Sequence, residues 1–313
     1  EGLGGTYFFR DESGAKVAIM KPVDEEPLAP NNPKGFVGRA LGGPGLKPSV
    51  RVGEAAGREV AAYLLDHAGF ARVPPTLMVE ISHAAFHQAG EREDGPPPRK
   101  LGSLQEFVAH DGDASELGSS RFRAADVHRI AILDVRLFNT DRHAGNILVR
   151  RLPAPASGPA AAQAVLDRAG EYELVPIDHG FALPEALEPP YFEWQHWSAA
   201  QLPLGAVERA YVENLDPDAD VALLRRELPG LREPSLRLLW TTTTLLKACV
   251  AAGLCLAEVA AVCTRSSVGV DEEASPLEEL CLAARREAED DLEDDLDDLE
   301  EGEEDEEVFL TEE

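Results

Sequence analysis

No run of 18 apolar residues occurs in this 313-residue chain, so no segment reads as a membrane-spanning helix. Cysteine is scarce: Cys249, Cys255, Cys263 and Cys281 form no C-x-x-C pair and sit in helical-looking stretches. They read as small buried hydrophobes in a reducing compartment. Cations are scarce too, 29 Lys and Arg against 58 Asp and Glu, so the basic footprint of a nucleic-acid binder is missing. There is no signal-peptide pattern and no internal repeat. The expected location is cytoplasmic, at most peripheral on membranes. The chain opens with Glu1-Gly2-Leu3 rather than Met, which reads as a fragment of something longer.

The acid is unevenly distributed. Residues 271 to 313 carry 23 Asp and Glu against Arg285 and Arg286, a charge of -21, which leaves only -8 for the rest. Runs of like charge are usually solvated and disordered, so residues 267 to 313 are expected to be a disordered acidic tail. Leu292, Leu296 and Leu299 fall at i, i+4 and i+7 there, which would let a protein partner induce one helical stripe. The Pro, Ala, Gly and Ser tract from 153 to 170 reads as a low-complexity, disordered insert.

The remaining chain reads as α+β. Tyr7-Phe8-Phe9 and Val17-Ala18-Ile19-Met20 flank the turn Asp11-Glu12-Ser13-Gly14 as a hairpin. Further strands are expected at 76 to 81 and 101 to 108. Helical spacing recurs over 54 to 67, 124 to 138, 204 to 214, 218 to 228, 234 to 252 and 255 to 264. Strands thus cluster early and helices late, as in a small sheet-rich lobe (1–110) followed by a larger helical lobe (111–266).

At the junction of helix and strand around residue 140 lies Asp141-Arg142-His143-Ala144-Gly145-Asn146. An Asp and an Asn five apart on one tight turn is the spacing of a kinase catalytic loop: the carboxylate orients a hydroxyl nucleophile and the Asn oxygen ligates a metal on ATP. Val175-Pro176-Ile177-Asp178-His179-Gly180 follows, an apolar strand ending in Asp-x-Gly, where kinases keep a second metal-binding Asp. The other parts of a phosphoryl-transfer site are present in order. Gly4-Gly5-Thr6 is a candidate phosphate loop. Lys21, at a strand end, is a candidate ATP lysine, with Glu59, or Glu54 in another register, as its helix partner. Glu106 C=O and Val108 N–H are the candidate adenine contacts. Asn146 and Asp178 suit Mg²⁺, which takes oxygen ligands and keeps phosphate oxygens in its shell. Asp141 and His143 compete for the role of base, and Arg142 joins the catalytic group or neutralises the crowded acids.

These residues, together with Asp24-Glu25-Glu26-Pro27-Leu28-Ala29-Pro30-Asn31-Asn32-Pro33-Lys34-Gly35-Phe36-Val37-Gly38, Ser49-Val50-Arg51-Val52-Gly53-Glu54, Arg58-Glu59-Val60-Ala61-Ala62-Tyr63-Leu64-Leu65-Asp66 and Glu188-Pro189-Pro190-Tyr191-Phe192-Glu193-Trp194, carry a family resemblance. Residues 2 to 266 resemble the catalytic domain of the phosphatidylinositol 3- and 4-kinase superfamily, most closely the plant and algal 4-kinase gamma group. The resemblance implies a bilobal, protein-kinase-like fold, MgATP as donor and the 4-hydroxyl of phosphatidylinositol as acceptor. It assigns Lys21 to ATP, Asp141, Arg142, His143 and Asn146 to the catalytic loop, and Asp178 to the metal. Some plant members carry upstream ubiquitin-like domains, and the group is also associated with protein Ser/Thr phosphorylation, so a protein kinase is the alternative reading. A low-turnover nucleotide-binding scaffold is the third, although an intact Lys21, Asp141, Asn146 and Asp178 set argues against it. The acylated cysteine cluster of animal type II relatives has no counterpart in residues 22 to 50, so membrane association is expected to be reversible. The segment after Asp178, where lipid kinases place substrate contacts, contains Glu185, Glu188 and Glu193 and no Lys or Arg before Arg209.

Overall fold

The computed structural model describes residues 2–90, 95–152, 172–265 and 273–290. The chain divides into two compact units, Glu1–Ala260 and Ala261–Glu313.

In the first unit, β1 (Tyr7–Arg10), β2 (Lys16–Pro22), β3 (Thr76–Ser82) and β4 (Arg99–Glu106) form an antiparallel sheet in the order β1-β2-β4-β3. The β1–β2 turn forms because Asp11 Oδ1 accepts the N–H groups of Ser13 (2.9 Å) and Ala15 (3.0 Å), an Asx-type turn. Helix α1 (Ala55–Leu65) packs on this sheet through its Ala- and Val-rich face. The strand expected to run to Val108 stops at Glu106, whose N–H donates to Pro75 O, and the last bond to the sheet is Phe107 N–H to Val17 O.

The helical part begins with α2 (Ala124–Leu137), which ends where Phe138 turns into the left-handed region (φ 45°) with its ring buried. A short sheet follows: β5 (Gly112–Asp113) beside β6 (Ile147–Arg151), and β6 beside β7 (Tyr172–Pro176), all antiparallel. Then come α3 (Ala206–Glu213), α4 (Pro217–Glu227), α5 (Glu233–Ala251) and α6 (Leu256–Cys263). Asp216 caps α4, its Oδ1 accepting from Asp218 N and Ala219 N at 3.0 Å each, with Pro217 at the first helical position. One core joins Ala61, Ala62 and Leu65 of α1 to Leu133 and Leu137 of α2 and to Leu224, Leu236 and Leu239 of α4 and α5. Truncating one of these leucines to Ala removes about 2–5 kcal/mol. Helix α1 is therefore anchored on the helical lobe as well as on the sheet, which matters for the residue it carries.

In the second unit, residues 276–290 are helical, a correction to the disordered tail expected from 267. The reason is a capping box: Ser275 Oγ accepts Glu278 N–H (3.2 Å) and Glu278 Oε2 accepts Ser275 N–H (2.7 Å), with Pro276 starting the helix. Arg285 and Glu289 add an i, i+4 ion pair at 2.7 Å. The leucine stripe at Leu292, Leu296 and Leu299 and the low-complexity tract at 153 to 170 lie outside the described residues. Among the described residues, no helix is long and apolar enough to cross a membrane.

Candidate active site

Lys21 is next to last in β2, and its ammonium lies 2.7 Å from Glu59 Oε1 of α1 and 3.1 Å from Asp178 Oδ1. Glu59 Oε2 accepts the N–H of His179 at 3.0 Å, so one buried carboxylate ties the lysine to the backbone that presents Asp178. Burial alone would lift the Glu59 carboxyl; Lys21 and His179 outweigh it and hold the group well below the usual carboxylate range. Burial alone would lower Lys21, and Asp178 and Glu59 hold it above the usual lysine value, so it stays an ammonium. Glu54, the other register, pairs instead with Arg58 (2.7 Å) and Arg232 (2.9 Å). Buried Arg58 then donates to the carbonyls of Ala182 (2.8 Å) and Leu183, which fastens α1 to the chain after Asp178. Gly180 passes so close to α1 that an added Cβ would lie 3.0 Å from Ala55 Cβ.

The β6–β7 pairing brings together residues thirty apart in sequence. Ile147 opposes Pro176, and Ile177 N–H donates to Asn146 O at 3.0 Å, so Asn146 and Asp178 leave the same end of the hairpin. Arg142 clamps that end. Fully buried, it donates from Nη1 to the carbonyls of Asn146 and Ile177, 2.7 Å each, and from Nε to both oxygens of Asp134 at 3.0 and 2.9 Å. Asp134, on α2, also accepts from Trp194 Nε1 (3.0 Å) and Asn139 Nδ2 (3.1 Å). Asn139 Oδ1 in turn accepts Asp141 N–H at 3.0 Å. Asn146 Nδ2 donates to Asp141 O at 3.0 Å, which leaves Oδ1 as the free acceptor of that amide. Asp178 sits in the left-handed region (φ 56°), a conformation a non-glycine residue adopts at a cost of about 1–3 kcal/mol and one that clusters at functional sites. Burial pushes the half-buried Asp141 carboxyl above the ordinary Asp value; His143 and Lys47 work against that, and Asp178 adds to it.

After Asp178, where acceptor contacts are expected, the acids are engaged. Arg51 holds Glu185 with Nε (2.8 Å) and Nη2 (3.1 Å), and Arg232 lies 2.9 Å from the same carboxylate. Glu188 Oε1 accepts Ser49 N–H (2.9 Å), and Ser49 O accepts Glu185 N–H (2.9 Å). Tyr191 O and Glu193 N–H pair with the Arg142 backbone, while Phe192 and Trp194 are buried and stacked at 4.9 Å. Lys47 arrives from the long loop before α1: its Nζ donates to Thr140 O at 2.6 Å and lies 5.9 Å from the Phe181 ring centroid.

Residues 2–259 match the family described as Phosphatidylinositol 3- and 4-kinase. The chain belongs to the phosphatidylinositol 3- and 4-kinase family. Its fold is accordingly bilobal and protein-kinase-like, and membership of a kinase family implies use of ATP. The chain is 54% identical to phosphatidylinositol 4-kinase gamma 6 of Arabidopsis thaliana over 91% of its own length and 46% of the relative's. It is 50% identical to phosphatidylinositol 4-kinase gamma 8 of the same plant, over 94% and 54%. With phosphatidylinositol 4-kinase gamma 4 of Oryza sativa subsp. japonica it shares 41% identity over 87% and 46%. The chain spans about half the length of the curated relatives it matches.

For this kinase-family chain, the structure brings Lys21, Glu59 and Asp178 into contact and sets Asp141 and Asn146 on one turn beside them. Two expected site residues have other work. Arg142 is enclosed on Asp134 and the two carbonyls, where it ties the loop to α2 and to the end of β7. Gly5 N–H donates to Glu25 O at 3.0 Å, and an added Cβ would fall 2.0 Å from Glu25 Oε2; Gly5 is small because Glu25 packs on it, and its N–H is not free for phosphate. Gly4 and Thr6 flank it ahead of β1. Glu106 ends β4, and Phe107 N–H donates to Val17 O (2.9 Å), so Val108 lies in the linker where an adenine contact is expected. His143 is exposed, its ring over Gly145. Sequence reasoning missed Asp134 and Lys47. The signal for Asp134 was a carboxylate at a core-facing position of an amphipathic helix; a lysine in a Gly- and Pro-rich loop gives none.

Proposed function

We propose that this chain is the catalytic domain of a phosphatidylinositol 4-kinase, transferring the γ-phosphoryl group of ATP to the 4-hydroxyl of phosphatidylinositol at a membrane surface that a cytoplasmic enzyme visits reversibly. The observation that carries the reading is the contact of Lys21 with both Glu59 and Asp178, beside a hairpin end that presents Asn146 and Asp178 together, in a chain of this family. Asn146 Oδ1 and the Asp178 carboxylate form an all-oxygen donor set that fits Mg²⁺; when bound, the ion neutralises charge on the β- and γ-phosphates. Lys21, held by Glu59, places an ammonium for the phosphates. Asp141 orients the acceptor hydroxyl and takes its proton, its raised carboxyl being the better matched to that role. The clamp of Arg142 and Asp134 fixes where Asp141 and Asn146 stand, so little reorganisation is needed at the moment of transfer.

The test is to incubate the chain with labelled MgATP, phosphatidylinositol in detergent micelles and a generic protein acceptor, beside Asp141→Ala. Label in the lipid, absent in the variant, is expected. Label only in protein would replace the reading with a protein kinase, and ATP binding without transfer would replace it with a nucleotide-binding scaffold.

A further inference from the structure

The loop that delivers Lys47 presents apolar side chains to solvent from an ordered base. Phe36 is 45% exposed, Val37 52%, Leu41 50% and Leu46 47%. Single exposed apolar residues are ordinary; four within eleven residues of one ordered loop are a concentration that asks for a partner. Looseness does not explain the exposure. At one end of the loop Asn32 Nδ2 donates to the carbonyls of Leu3 (2.9 Å), Glu25 (3.1 Å) and Glu26 (3.1 Å), and its Oδ1 accepts Lys34 N–H (2.9 Å) and Phe36 N–H (3.1 Å). At the other end Glu26 accepts Gly53 N–H (2.7 Å) and Ala56 N–H (3.2 Å). Backbone bridges between Leu28 and Val37 and between Pro44 and Arg51 close the loop on itself.

Charge names the occupant. In a chain of net charge -29, residues 27 to 53 contain no Asp or Glu and four cations. Arg51 is used by Glu185; Lys34, Arg39 and Lys47 donate to the carbonyls of Gly2, Pro44 and Thr140 and enter no ion pair among the described residues. A loop that carries exposed apolar side chains and cations, with no acid of its own, suits the interface of an anionic bilayer. Position agrees: Lys47, one residue beyond Leu46, bonds the carbonyl of Thr140 and so borders Asp141. Of the aromatics after Asp178, Phe192, Trp194 and Trp197 are buried, while the exposed Tyr191 has its hydroxyl bonded to the carboxylate of Glu193, an acid that an anionic leaflet repels.

Building on the lipid-kinase reading above, we infer that residues 34–47 are the membrane-docking element, inserting Phe36, Val37, Leu41 and Leu46 into an anionic leaflet and so setting the catalytic loop at the lipid surface. Insertion of this kind needs no acyl chain, and it is reversible.

The test measures sedimentation of the chain with vesicles of phosphatidylcholine containing phosphatidylserine and phosphatidylinositol, against vesicles of phosphatidylcholine alone. Binding to the anionic vesicles, weakened at least tenfold by Phe36→Ser with Val37→Ser, is expected. The same double variant should lose vesicle-borne transfer in proportion while keeping its transfer to phosphatidylinositol dispersed in detergent micelles. A thermal melt confirms that it folds, and Phe36→Trp supplies a readout independent of that double variant: its emission should shift to the blue on anionic vesicles and be quenched by brominated lipid. Wild-type chain that ignores anionic vesicles, a double variant that binds as wild type, or an added indole whose emission stays aqueous in Phe36→Trp would each overturn the inference. So would a concentration-dependent dimer that Phe36→Ser dissolves while vesicle binding is unchanged, because the patch would then belong to a second copy of the chain. Absence of lipid transfer even in micelles would count against the lipid-kinase reading alone, because vesicle binding is read separately.

Discussion

The side of the site expected to meet the nucleotide and the side expected to meet the acceptor use charge in opposite ways. On the nucleotide side, opposite charges meet where chemistry is expected: Lys21 touches Glu59 and Asp178, and each of the three leaves a short motif of its own. On the acceptor side, the acids next to Asp178 in sequence are engaged elsewhere, Glu185 by Arg51 and Arg232 and Glu188 by Ser49. The cation bonded to the carbonyl just before Asp141, Lys47, comes from a loop some ninety residues earlier. An ATP site has to meet the same triphosphate in every kinase, so its parts recur in order; an acceptor site is assembled from whatever the surrounding loops bring.

The comparison can be broken most forcefully at the clamp that both sides share. Arg142→Ala leaves Asp134 buried without its countercharge and should cost about 3–5 kcal/mol of stability, read in a denaturant melt. A loss under about 1 kcal/mol would mean the clamp is not what holds the loop. Next in size is Glu59→Gln, which frees Lys21 from a charged hydrogen bond worth about 1.5–3 kcal/mol. It should lower kcat/KM for ATP roughly 10- to 100-fold and leave the KM for lipid nearly unchanged; an equal rise in both KM values would show that the two sides are not separable. The smallest effect is on pH dependence. Because burial lifts Asp141, the acid limb of kcat/KM should lie above the ordinary Asp value, with activity falling as pH drops and the carboxylate takes up a proton. Lys47→Met removes a cation that holds Asp141 down, so the limb should move further up; a limb unmoved or shifted down would detach Lys47 from the catalytic loop.

Much of this was legible in the sequence where geometry is local. The hairpin turn at Asp11, the helices from 54 to 264 and the turn from Asp141 to Asn146 each follow from spacing within a few residues. The choice between Glu59 and Glu54 was not, because both lie on or beside the same helix and only the packing of Arg58 on Ala182 and Leu183 tells which one faces Lys21. Arg142 looks catalytic because it stands between Asp141 and His143. Its true partner, Asp134, is on the preceding helix, where a carboxylate at a core-facing position is the one trace the pair leaves in the sequence. Gly5 shows the converse, a glycine that reads as a phosphate loop but is small because Glu25 fills the space. The helix from 276 is announced by Ser275-Pro276-Leu277-Glu278, a capping signature masked by the acid that follows it.

In the proposed function, Asp178, held in a left-handed backbone between Lys21 and the Asn146 turn, would hold the metal ion on the phosphates. The direct measurement is Mg²⁺-dependent transfer to phosphatidylinositol by Asp178→Asn, made alongside its thermal melt. Transfer should disappear while the melt stays within a few degrees of wild type. Transfer retained by a folded Asp178→Asn would contradict it.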